Sequence, residues 1–519
     1  MACGDEVKTR MYRCFVPAVP GVWAASAHSN CVHNELAAMQ LRTMGITPAD
    51  PVGLHDMKRS MRRISNMMRK MQLQRWSLER VVNSYQGAMK RRYQEALESF
   101  NTAPELSKYD CRLSAFLKIE KFNSQAKISK PRMINCRSSR FNLLLASYLK
   151  PLEHALYKRW LVGYGGVRPT RCVGKGLNGP QRAALISRKM QDVGDCVVFE
   201  VDGKAFEAHV TREQLLVEHS VYKAAYPGQS ELHNLLQHQL KLKGKTAGGI
   251  KFERDGCRAS GDFNTGLGNT LVMGAVVDAA IDLASRDLGD FRATTLIDGD
   301  NALIFVERRV AGGLRAGFAG YVRAVSSHEM TVEKPTDILE RVIFGQCQPV
   351  YNGEHYTMVR EPYKTLSYSF SGYKHFNQPL FVGPMLKLIS QAELTLARGI
   401  PVLEPYFSKA LDKLSRYRDL QNPDFLEERL KYAVGDPINC VARGVCMEAR
   451  RSFERAFGIG VEAQLELEKQ LRACLDGLRV ATSMDQHLEV VQDGDGPLSL
   501  ADDDKNQVWH FLDGRDAWC

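Results

Sequence analysis

The 519-residue sequence predicts an α+β fold in which a small mixed or antiparallel sheet is packed by helices. Three observations carry that expectation. Val197, Val198, Phe199 and Val201 form an apolar run that reads as a buried strand ending at Asp202. Two further short runs, Thr294 to Ile297 and Ala302 to Val306, flank Asp298-Gly299-Asp300-Asn301. Asp-Gly and Asn tolerate the positive φ of a tight turn, so this is a hairpin signal. Around these strands lie long stretches with apolar residues at helical spacing. The length exceeds what one compact core accommodates, and two to four lobes are expected.

Taken in chain order, residues 1–57 show no strong period and carry turn formers at Pro48 and Pro51. Met11 to Ala27 is fairly apolar, but Pro17 and Pro20 make it a poor signal-peptide core. It reads as an irregular, partner-binding segment. Lys58 to Phe100 is helical in pattern, and its stripe of Met61, Ile64, Met68 and Met71 reads as core packing. Residues 110–190 read as strands and loops, and residues 211–243 as helices. A loop is expected at Gly244 to Gly249, then one long apolar helix from Thr265 to Ala284. Pro384 to Leu478 reads as helices broken at Gly399 to Pro401, and the chain after Met484 as a flexible acidic tail. There is no internal repeat, and no uninterrupted apolar stretch reaches the ~18 residues of a membrane span.

Composition narrows the function. Hydrophobic residues at 44% and charged residues at 25% exclude a collagen, a mucin-like stalk or a wholly disordered chain. The net charge of +11 is unevenly spread. Lys58 to Arg92 holds eleven basic residues against Glu79 alone, and Arg112 to Arg140 holds eight against Glu120. The last 35 residues hold nine acids against Lys505 and Arg515. A basic front with an acidic tail points to a polyanionic partner. The 13 cysteines lack Cys-x-x-Cys or zinc-finger spacing, as expected of reduced thiols in a cytosolic setting. No Gly-x-x-x-x-Gly-Lys-Ser/Thr loop is present, so a fused P-loop helicase is unsupported.

The acidic strand ends carry the chemistry. If the strand ending at Asp202 neighbours the hairpin tipped by Asp300, two carboxylates converge at one end of a sheet. Hard divalent cations take such oxygen ligands. Two of them about 4 Å apart can activate a hydroxyl and stabilise a leaving phosphate oxygen. Between the two acids lies Ser260-Gly261-Asp262-Phe263-Asn264-Thr265-Gly266-Leu267-Gly268-Asn269. Thr265 and Asn269 are four apart, on one face of the following helix. Their hydroxyl and amide groups suit recognition of a ribose hydroxyl.

In their order, these segments resemble palm motifs A, B and C of viral RNA-dependent RNA polymerases. The matching residues are Asp202-x-x-x-Phe206-Glu207-x-His209, Ser260-Gly261-x-x-x-Thr265-x-x-x-Asn269 and Gly299-Asp300-Asn301. Phe116 to Lys121, Lys130-Pro131-Arg132, Arg137 to Asn142 and Tyr148 to His154 are similar to motif F and its continuation in tombusvirus-like enzymes. Val332-Glu333-Lys334-Pro335 is similar to motif D, Phe344 to Val350 to motif E, and Gly399 to Leu403 to a thumb segment. The resemblance covers roughly residues 110–410. Two positions depart from it. Asn301 stands where the family usually has Asp, and Glu207 where it usually has the second Asp of motif A. The Gly-Asp-Asn form resembles the ambiguivirus group of fungal viruses.

The resemblance implies a right-hand polymerase with fingers, palm and thumb that copies a positive-strand RNA virus genome. Its implied limits are a partly helical, basic N-terminal extension over 1–105, fingers over 106–195 and a palm over 196–350 with a finger insertion near 211–255. A helical thumb over 351–480 and an acidic tail over 481–519 follow. Asp202 and Asp300 would hold Mg²⁺ (or Mn²⁺), with the Gly203 carbonyl and Asn301 contributing. Asn301 lacks a charge, which implies a weaker Mg²⁺ grip or a shifted metal preference. Glu207, Thr265 and Asn269 would sense the 2′-hydroxyl of the incoming nucleotide, and Ser260 and Gly261 would shape a loop around it. Lys118, Lys121, Lys130, Arg132, Arg137 and Arg140 would line the path of the NTP, since cations neutralise its phosphates and Arg forks match them. Lys334 would protonate the pyrophosphate, and His209 would order the motif A loop. The implied partners are template and product RNA, NTPs, and host membranes or other replication proteins in the cytoplasm. The rival readings are a catalytically silent palm-fold RNA-binding protein and, against Thr265 and Asn269, a reverse transcriptase. A basic nucleocapsid protein would need no ordered acidic motifs.

Overall fold

The computed structural model describes residues 11–373, 376, 378–420, 426–433, 440–480, 490–491 and 498–499. The acidic tail expected over 481–519 lies almost wholly outside them.

The centre is a four-stranded antiparallel sheet in the order Met330–Val332, Cys196–Gly203, Asn301–Glu307, Ala293–Asp298. Its long strands are apolar on both faces because both are covered. Val197, Phe199 and Val201 join the core formed with helices Thr265–Leu288 and Arg308–Val325. Cys196 and Val198 point the other way and pack with Ile186 and Val193 of helix Gly179–Val193. The expected hairpin is present, with Ala293–Asp298 and Asn301–Glu307 joined by Gly299-Asp300. Gly299 has φ +68°, the left-handed conformation the turn requires.

A second four-stranded sheet has the order Met133–Cys136, Leu113–Leu117, Lys241–Thr246, Lys251–Asp255. It is the mixed one, since Leu113–Leu117 runs parallel to Lys241–Thr246. The loop expected at Gly244 is therefore strand up to Thr246. A Cβ on Gly244 would lie 2.4 Å from the Leu113 carbonyl oxygen, so this glycine marks close approach of two backbones instead of a turn. The chain from 113 to 255 thus returns to one sheet after contributing a central strand.

Two other expectations are corrected and one is filled in. Residues 110–190 hold a 21-residue helix, Ser139–Arg159, buried on nearly every side, with Pro151 inside it. The N-terminal region, expected to be partly helical and basic, is helical in part and packs into the core of the chain. Val32–Ala38 is helical, and helix His55–Lys70 packs on Arg212–Ala225 and Thr265–Leu288 through buried Met57, Met61, Ile64 and Met68. Met11 to Ala27 finds its partner within the chain. Cys14, Phe15 and Val19 enter the apolar core of the C-terminal helices, while Ser26 pairs with Phe122. Those helices, Pro379–Ala397, Leu403–Leu414, Met447–Phe457 and Val461–Asp476, follow the expected pattern with the break at Gly399, where φ is +75°.

Thr265–Leu288 and the Leu380–Ala397 stretch are long and apolar enough to cross a membrane, but 78% and 67% of their most apolar windows are buried inside the fold. Packing accounts for that apolarity.

Candidate active site

The register of the central sheet builds the site. Asp202 lies opposite Asn301 on one side and Thr331 on the other. The Gly203 amide donates to the Asp300 carbonyl at 3.1 Å, so the end of the Asp202 strand is stitched to the hairpin turn. The turn is anchored from below, where the Gly299 amide donates to Thr270 Oγ1 at 3.2 Å. A Cβ at Gly203 would meet the Phe206 ring at 2.5 Å, which keeps this position small.

The two aspartates are short of positive charge. Desolvation by the surrounding walls, followed by repulsion from Asp300 and Glu333, pushes the Asp202 carboxyl up to about 6. Burial also raises Asp300, with Glu207 adding to the rise and Arg132 and Lys175 opposing it. Among the described residues, neither has an ion-pair partner within 4 Å, and no group of three or more His, Cys, Asp or Glu is assembled as a metal cluster. The donor set is therefore two carboxylates with the Asn301 amide beside them. Asn301 Nδ2 donates to Glu200 Oε1 at 3.4 Å. Glu200 is itself pushed up to about 7 by burial, then by Asp202 and Glu333.

Glu207 leaves motif A in the short helix Phe206–His209, entered through Ala205 at φ +41°. Burial alone would raise its carboxyl. Arg42 holds it below the usual range through Nε to Oε1 at 2.9 Å and Nη2 to Oε2 at 3.2 Å. Arg258 joins motif A to motif B. Its amide donates to the Glu207 carbonyl at 2.9 Å, its Nε donates to Asn269 Oδ1 at 2.9 Å, and its guanidinium is paired with buried Glu218. Thr265 donates its hydroxyl to the carbonyls of Ala259 and Asp262, at 3.0 and 2.9 Å. His209 bonds the Ala205 carbonyl and Glu329 Oε2, each at 3.1 Å.

Ser260 donates to the Met133 carbonyl at 3.2 Å, and a Cβ on Gly261 would lie 2.7 Å from Cys136 Cβ. The motif B loop is thus pressed onto the strand Met133–Cys136. The six expected phosphate-path cations divide. Arg132 faces the site, since its charge acts on Asp202, Asp300 and Glu207, and it pairs with Glu120 at 3.0 Å. Lys118 shares Glu120 at 2.7 Å, and Lys130 is exposed. The other three are held elsewhere. Arg137 is 1% exposed and pairs with Asp262. Arg140 turns back to Ser99, Glu105 and Asp110 and stacks on Phe100 at 4.1 Å. Lys121 donates to the Tyr368 carbonyl at 2.8 Å and pairs with Glu427. Lys334 is exposed, with no ion pair among the described residues.

Sequence reasoning missed Arg42, Glu200 and the pairing of Asp298 with Lys175 and Arg182, both at 2.7 Å. Lys175 lies beside the Gly299-Asp300 turn, 3.8 Å from where a Cβ on Gly299 would stand. Its position between Gly174 and Gly176 was the one available sign. Arg42 sits in a segment without periodicity and gave none.

Strand-end carboxylates set side by side by the sheet register, an arginine whose charge acts on both, and a small-residue loop alongside make up the candidate site. The chain belongs to the viral RNA dependent RNA polymerase family, whose family model matches residues 11–474. That match takes in the N-terminal region, where no motif was legible. The chain is 31% identical over 394 residues to the RNA-directed RNA polymerase of Tobacco necrosis virus (strain A), covering 75% of this chain and 53% of that protein. It is 30% identical over 407 residues to that of Carnation mottle virus, covering 77% and 51%. It is 32% identical over 393 residues to that of Tomato bushy stunt virus (strain Cherry), covering 75% and 46%. The chain spans about half the length of the curated relatives it matches.

Proposed function

We propose that this chain carries out template-directed RNA synthesis, replicating a positive-strand RNA virus genome by nucleotidyl transfer. The observation that carries the reading is the register of the central sheet, which sets Asp202 beside the Asp300 turn in a chain of this family. The lobes are read as fingers (106–195, with 211–255 inserted), palm (196–350) and thumb (351–480), with residues 1–105 packed against them. The return of Lys241–Asp255 to the Leu113–Leu117 sheet supports the insertion.

Asp202 and Asp300, with the Gly203 carbonyl and Asn301, are the groups that would hold divalent cations, Mg²⁺ or Mn²⁺. Two carboxylates with raised pKa and no counter-ion among the described residues fit such ions. When bound, the cations would lower the pKa of the attacking 3′-hydroxyl and balance charge on the departing pyrophosphate. The chain's own residues do the rest. Arg132 receives the triphosphate, aided by Lys118 and Lys130. Glu207, Thr265 and Asn269 read the ribose, and Ser260 and Gly261 hold the loop over the nascent pair. Lys334, exposed and free of ion pairs among the described residues, would give a proton to the leaving group. Base choice comes from pairing with the template, and the basic N-terminal surface holds RNA phosphates without reading sequence. The reading extends to the host cytoplasm at membrane-associated replication sites, with other replication proteins as partners.

The test is RNA synthesis by the purified chain on a generic RNA template, with Mg²⁺ and Mn²⁺ supplied separately. Product that vanishes in Asp300→Ala supports the reading. No product with either ion, or product that survives in Asp300→Ala, overturns it. Preference for dNTP over NTP would indicate a reverse transcriptase instead.

A further inference from the structure

Glu200 lies two residues before Asp202 on the same strand, so both side chains emerge on the same face of the central sheet. Asn301 stands opposite Asp202 in the register and diagonal to Glu200. Its Nδ2 is committed to Glu200 Oε1 at 3.4 Å. An amide has one nitrogen and one oxygen on the same carbon, so the nitrogen held by Glu200 leaves the oxygen as the atom offered to the site. Glu200 is steadied in turn by the Gly345 amide, from the segment matching motif E. Among the described residues it has no cationic partner within 4 Å, although its position beside Asp202 and Glu333 places it among like charges.

We propose that Glu200 is a positioning residue of the metal site, which orients the Asn301 amide with its oxygen toward the cations and supplies the negative charge that Asn301 lacks. The inference rests on the polymerase reading. It deepens that reading by assigning to motif A the third charge of a site whose turn carries only one aspartate. Asn301 and Glu200 form one unit in which donor and acceptor can be exchanged. Combining Glu200→Gln with Asn301→Asp makes that exchange. The amide then donates from the strand to a carboxylate on the hairpin, with the total charge unchanged.

That exchange is the test. Mn²⁺ binding to the full chain, without RNA or NTP, is measured by electron paramagnetic resonance at mildly alkaline pH for wild type, Glu200→Gln, Asn301→Asp and the double variant. Glu200→Gln keeps a hydrogen-bond acceptor for Asn301, so a merely structural role would leave affinity unchanged. The expected result is a loss of about tenfold, the scale on which outer partners tune metal ligands. Asn301→Asp alone should bind more tightly than wild type, and the double variant should return to within about twofold of wild type. Should Glu200→Gln fold poorly, the comparison of Asn301→Asp with the double variant reads the same increment. Wild-type affinity in Glu200→Gln, or a double variant no tighter than that single variant, overturns the proposal and leaves the polymerase reading standing. A wild-type chain that binds no Mn²⁺ overturns both.

Discussion

Arg42 clamps Glu207 with two parallel hydrogen bonds, Nε to Oε1 at 2.9 Å and Nη2 to Oε2 at 3.2 Å. A forked arginine–carboxylate pair fixes direction as well as charge. The side chain proposed to read the ribose is therefore held by a residue 165 positions earlier in the chain. Arg42→Ala should lower the preference for NTP over dNTP by roughly tenfold or more, matching the ~1.5–3 kcal/mol of a charged hydrogen bond. Single-nucleotide incorporation with matched NTP and dNTP measures it. An equal loss for both nucleotides would mean that Arg42 serves only the fold.

Removing Asp300 should separate activity from stability. Asp300→Ala is expected to cut RNA synthesis by at least about a thousandfold, as loss of a principal electrostatic group does. Yet Asp300 is a carboxylate raised by burial and without an ion-pair partner among the described residues. Its neutral replacement should melt no lower than wild type in the absence of metal. Calorimetry alongside the activity assay checks both halves.

The raised acids set a pH dependence. A carboxyl whose folded pKa lies above its unfolded value binds more protons when folded, so its contribution to stability is lost as pH rises through the folded value. For Asp202 that value is about 6, and for Glu200 about 7. A divalent cation competes for the same carboxylates once they ionise. Added Mn²⁺ should therefore raise the melting temperature clearly above pH 7 and hardly at all near pH 5. A shift of equal size at both pH values would contradict the assignment.

Two neighbouring arginines should behave oppositely. Arg137 is 1% exposed and its partner Asp262 is 2% exposed. Arg137→Ala leaves a buried carboxylate alone and should cost about 3–5 kcal/mol of stability. Arg132 is partly exposed and faces the carboxylates. Arg132→Ala should raise KM for NTP with little change in melting temperature. Denaturant unfolding and steady-state kinetics on the two variants distinguish the roles.

The central sheet and its acidic turn were legible in the sequence because both strands are short apolar runs with a turn code between them. The long helix from Thr265 was legible for its length and apolarity. Helix Ser139–Arg159 was not, since a helix buried on nearly every side has no polar face and Pro151 reads as a break. The strand through Gly244 was hidden because glycine there answers a neighbour, Leu113, that is distant in sequence. Within the site, the strand pattern made the neighbouring of Asp202 and the Asp300 turn legible. The placing of Arg137 and Arg140 was not legible, because charge type says nothing about which way a side chain turns. Arg42 and Glu200 act through long-range contacts that no local pattern encodes.

The N-terminal segment is tied down at several points. The Cys14 amide bonds the Phe370 carbonyl at 2.9 Å, and the Trp23 amide bonds Ser367 Oγ at 3.0 Å. Further along, Ser26 and Phe122 exchange two bonds of 2.9 Å. One short run of chain thus laces the helix Pro362–Tyr368 and the residues after it to the segment bearing Lys118 and Arg132. Like a drawstring threaded through two folds of cloth, it holds both by a single length of main chain, and a break between Trp23 and Ser26 would cut that tie.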